Sequence, residues 1–145
     1  MKFTYSDKTV IVTSTSRYSQ ESFDIQIDDI IAIAILNRMV GDDDSDYIII
    51  LTNTFEQFYI HLIQEMKRFE DLKVFLKNGF SIDCQDIDNI AYDSNSILFP
   101  KNLKDAPLYQ KNIKSWIKRG LDINHPASGV LHENILGYFS KFRTD

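Results

Sequence analysis

Along the first sixty residues, apolar and polar side chains change places at almost every position. Lys2 to Tyr5 and Thr9 to Thr13 alternate around Ser6-Asp7-Lys8, the spacing of two strands joined by a tight turn. Ser22 to Ile27 alternates again, with Phe23, Ile25 and Ile27 on one side. In the run IIAIAIL, Ile31, Ile33 and Ile35 fall on one face and Ala32 and Ala34 on the other. A helix starting at Asp28-Asp29 is the rival for that run. Its isoleucine density favours a strand, because a β-branched side chain loses rotamer freedom in a helix and packs well on a pleated surface. Tyr47 to Leu51 and Phe55 to Leu62 predict two more strands, with Thr52-Asn53-Thr54 as the turn between them. GDDDSD (41–46) is then a connection between neighbouring strands, built from residue types that turns favour.

After residue 62 the period lengthens. Ile63 to Asn78 puts Met66, Phe69, Leu72, Phe75 and Leu76 on one stripe, as in an amphipathic helix. Pro107 to Arg119 gathers Tyr109, Ile113, Trp116 and Ile117 on one face and Lys111, Lys114 and Lys118 on another. Leu131 to Phe142 aligns Leu131, Ile135, Tyr138, Phe139 and Phe142. Between the helices, Asp83 to Tyr109 holds Pro100 and Pro107 and a candidate short helix around Ser96 to Phe99. The expected fold class is therefore α+β: an N-terminal antiparallel meander packed against C-terminal helical hairpins. A chain of 145 residues suits a single domain, 1–145, with 1–62 mainly β and 63–145 mainly α. A domain of that length buries roughly two thirds of its unfolded surface.

The helical half contains a repeat. LKVFLKNGFSID (72–83) aligns with IKSWIKRGLDIN (113–124), pairing Gly79 with Gly120 and Ile82 with Ile123. Each copy is a helix end, a glycine suited to the left-handed cap position, and an extended segment in which Phe80 or Leu121 folds back. FLKNGFSID and WIKRGLDIN resemble the end of an ankyrin outer helix, and GVLHENILGYF (129–139) resembles a worn inner helix, with Leu131-His132 in the Leu-His place. The resemblance spans residues 63–143 and implies degenerate ankyrin-like hairpins; the ankyrin pattern is structural and carries no binding residue. It departs from the family in three respects. The Thr-Pro before Leu-His is missing, only two copies are present, and they are 41 residues apart instead of about 33.

Charge divides the chain as sharply as periodicity does. Residues 1–62 hold 4 basic and 10 acidic side chains, a net of −6, whereas residues 63–145 hold 12 and 11, a net of +1. A partner meeting the first half should be basic, since opposite potentials steer encounter and like potentials oppose it. Nucleic acid is excluded as its ligand on the same ground. The longest apolar run, Ile30 to Leu36, is too short to span a bilayer, and the N-terminus lacks the apolar core of a secretion signal. The one cysteine, Cys84, forms no internal disulfide and fits a reducing, cytoplasmic setting.

Four of the ten acids of the first half lie in GDDDSD. A calcium loop starting at Asp42 would place Asp42, Asp44 and Asp46 at positions 1, 3 and 5, but Tyr47 falls where glycine belongs and Asn53 where glutamate belongs. A solvated turn and a docking element for a basic partner remain. Of His61, His125 and His132, the first sits among apolar neighbours and none has the spacing of a catalytic or metal-binding pair. Glycine-rich phosphate loops, G-x-S-x-G, H-E-x-x-H and paired cysteines do not occur.

These residues imply a non-enzymatic binding protein without cofactor or metal, whose partner-binding residues are Asp42, Asp43, Asp44, Asp46, Tyr47, Asp28 and Asp29. In size, charge and worn repeats, the chain resembles the small acidic bacterial immunity proteins of toxin systems. That resemblance implies direct neutralisation of a basic toxin of nuclease type. Two alternatives stand beside it. One is a regulatory module of pleckstrin-homology type, whose meander-then-helix order residues 1–78 share. The other is an enzyme of unrecognised class.

Overall fold

The structure, a computed structural model, describes residues 2–13, 23–40, 43–62, 69–88, 94–109 and 131–140. Within them two antiparallel sheets and short helices form a mixed α+β fold made mostly of strands. Strands β1 (Lys2–Tyr5), β2 (Thr9–Thr13) and β3 (Phe23–Gln26) make the first sheet, in that order. A 3-10 turn over Ile27–Asp29 leads into β4 (Ile30–Val40), which pairs with β5 (Asp43–Thr52). Strand β6 (Gln57–His61) flanks β5, and β7 (Asn95–Phe99) flanks β4, giving the order β6-β5-β4-β7. The N-terminal meander is thus divided between two sheets, and the second of them takes a strand from the C-terminal half.

Both faces of the second sheet are buried, which explains why β4 and β5 read as nearly continuous apolar runs. On one face Ile33, Ile35, Ile48, Ile50 and Ile60 meet Val10 and Ile25 of the first sheet. Helix α1 (Phe69–Phe80) adds Leu72, Phe75 and Leu76 at helical spacing. On the other face Ala32, Ala34, Leu36, Ile49, Leu51 and Ile97 lie against Leu108, Tyr109 and Leu131, together with Ile135 and Phe139 of helix α3 (Glu133–Phe139). The pairing of β4 shifts between Ile30 and Ala32, so the strict alternation breaks there. Ile31 consequently packs with Ala32 and Ala34, not with Ile33 and Ile35.

Several elements correct the sequence expectation. Asp43 to Asp46 continue β5 and are not turn, since the antiparallel ladder runs on to Val40↔Asp43. Ser96 to Phe99 belong to β7, where the long-range pairing with Ile33 to Leu36 overrides the local signal. Leu108 and Tyr109 do not begin a helix: Tyr109 makes a β-bridge with Leu131, and α3 starts only at Glu133. Gly79 lies within α1, and the left-handed residue after it is Ser81, at φ 56°. The Ser81 N–H donates to Lys77 O at 3.1 Å and the Ile82 N–H to Leu76 O at 3.2 Å, closing the helix end. Asp83 then caps the short helix α2 (Cys84–Asp88), accepting from the Gln85 N–H at 3.0 Å. A helical hairpin is not confirmed, because α1 leads to α2 and then to β7. The second repeat copy, with Gly120, lies outside the described residues.

Candidate functional site

Of the seven residues expected to bind a partner, six lie among the described residues: Asp43, Asp44, Asp46 and Tyr47 on β5, and Asp28 and Asp29 in the 3-10 turn before β4. At one end, the sheet narrows. Strand β7 pairs with Ile33 to Leu36 and β6 with Tyr47 to Leu51. The outermost bonds on the two sides run from the Asn37 N–H to Ser94 O and from the Leu62 N–H to Asp46 O, each 2.8 Å. Beyond them Arg38↔Ser45, Met39↔Asp44 and Val40↔Asp43 pair only with one another among the described residues. Three residue pairs at about 3.3 Å per residue carry this two-stranded ribbon about 10 Å past the rest of the sheet among the described residues. Residues 41–42, Asp42 among them, lie outside the described residues.

The base of the ribbon is closed by a polar pair. Asn37, only 4% exposed, donates from Nδ2 to Asp46 Oδ1 at 2.7 Å. The two stand directly across from each other in the ladder. Asp46 therefore satisfies a buried amide and has less to offer a partner than the sequence suggested. Tyr47 is buried as well, its ring 6.1 Å from that of Tyr59 at 76°, within the second core. It is a core residue and not a surface contact. Asp43 and Asp44 remain as strand residues of the projecting ribbon, with Arg38 its one basic residue.

Asp28 and Asp29 occupy the other end. They lie in the 3-10 turn before β4, which the ten-residue β5 separates from the ribbon tip by about 30 Å. Asn53 holds this turn by donating its N–H to Asp29 O at 2.8 Å and its Nδ2 to Asp29 Oδ1 at 3.4 Å. The Ile27 N–H donates to Lys8 O at 2.8 Å, bringing the Ser6–Lys8 turn to the same end. Phe55, at φ 61°, closes the short loop from β5 to β6 there, and its N–H donates to Thr52 O at 2.9 Å. Asp7, Asp28 and Glu56 are thus brought to one end, all exposed and none in an ion pair among the described residues. Sequence reasoning missed Asp7 and Glu56. Each is a lone acid in its own turn, and only the folded chain brings the three turns to one end.

Among the described residues, the ion pairs that form belong to the second half. Lys73 meets Asp88 at 3.0 Å and Lys104 meets Asp86 at 3.2 Å, fastening α2 to α1 and to the segment after β7. Hydrogen bonding to the Asp88 carboxylate holds the Lys73 ammonium above the ordinary lysine value.

Potential chemistry is scattered. His132 is the N-cap of α3, its Nδ1 accepting from the Asn134 N–H at 3.2 Å. His61 ends β6, His125 lies outside the described residues, and Cys84 is half-buried at the start of α2. Among the described residues no three His, Cys, Asp or Glu side chains are grouped to hold a metal ion. No helix among them is long and apolar enough to cross a membrane. Compared with protein-family models, curated proteins and solved structures, the chain matches none.

Proposed function

We propose that the protein is a non-enzymatic binding protein that neutralises a basic toxic protein, in the manner of an immunity protein, and engages it through the acidic β4–β5 ribbon. The observation that carries this reading is the ribbon itself. Asp43 and Asp44 stand on the stretch of the β4–β5 hairpin that, among the described residues, extends past its flanking strands; Asp42 precedes them in the sequence, and Arg38 is the one basic residue of 37–46. Aspartate disfavours strands, so local propensity does not account for continuing the ladder through these residues. A concentration of acidic residues on one ribbon speeds encounter with a basic surface and opposes acidic competitors. Asp7, Asp28 and Glu56, exposed at the far end and in no ion pair among the described residues, add to the negative charge of the same half of the chain.

The test is co-expression with basic toxin domains of nuclease type, including any encoded next to this gene. The chain should keep cells growing and co-purify with the toxin as a stable complex. Growth arrest despite abundant soluble chain, or protection without any complex, contradicts the proposal.

A further inference from the structure

We draw no further inference here: the strongest candidate, the outward backbone edges of the projecting β4–β5 ribbon at Met39 and Asp44, carries nothing because no described residue shows what covers them.

Discussion

Tyr109 carries its hydroxyl into the second core and donates it to Gln57 Oε1 at 2.8 Å. Burial pushes this phenol well above its ordinary value of 10.0, because the phenolate would lose its hydration there. The protonated form is favoured in the folded state, so the stability this group contributes is complete below about pH 10 and is lost as the pH rises further. Thermal midpoints measured from neutral to strongly alkaline pH should fall beyond that point. Tyr109→Phe should flatten the fall while costing about 1 kcal/mol at neutral pH, by leaving Gln57 without its donor. Identical alkaline profiles for variant and wild type would show that another group governs the loss. Asn95 offers a second check, since its Oδ1 accepts from both the Leu108 N–H at 2.7 Å and the Tyr109 N–H at 2.9 Å. Asn95→Ala strands two part-buried donors and should cost about 2–4 kcal/mol in denaturant melts, whereas Asn95→Asp keeps the acceptor and should cost less. Neither role is visible in the sequence: the partners stand 13 and 14 positions from Asn95, and no local pattern links them.

The strands of the first half were legible because burying one or both sheet faces leaves a period in the chain. Ile30 to Leu36 and Tyr47 to Leu51 fall within β4 and β5 as expected. What stayed hidden depends on distant partners. The NSILF segment of β7 is too short to announce itself and gains its place from β4, some sixty residues earlier. Helix endings show the opposite failure, a local signal that misleads. A glycine near a helix end suggests the left-handed cap, yet Ser81 takes that conformation two residues after Gly79. Ser81→Gly should therefore raise stability by up to about 1 kcal/mol, since glycine populates φ > 0 without steric cost. Gly79→Ala should be neutral or slightly stabilising, because the added Cβ meets only Phe75 Cε2, at an ordinary 3.9 Å, and alanine favours helix. A marked loss of thermal midpoint in Gly79→Ala, with none gained in Ser81→Gly, would move the left-handed residue back to the glycine.

At the scale of the whole molecule, the described residues enclose the second sheet on both faces, with Asp43 and Asp44 toward one end of the β4–β5 hairpin and Asp28 and Asp29 at the other. The charge asymmetry was plain in the sequence, but its distribution was not. Tyr47 serves the core, Asp46 binds Asn37, Asp29 binds Asn53, and Asp28 is joined by Asp7 and Glu56. Each assignment follows from a partner on another strand or turn, which no count of charges reveals. The central claim, that the acidic ribbon docks a basic protein, is tested most directly by association kinetics with the toxin domain that the chain retains on co-expression. Wild type is compared with a variant carrying Asp42→Asn, Asp43→Asn and Asp44→Asn, which removes three charges and leaves the Asn37–Asp46 pair intact. At low salt the variant's kon should fall about tenfold, and the difference should shrink as salt screens the wild-type charges. Equal rates for the two proteins at low salt would contradict the account.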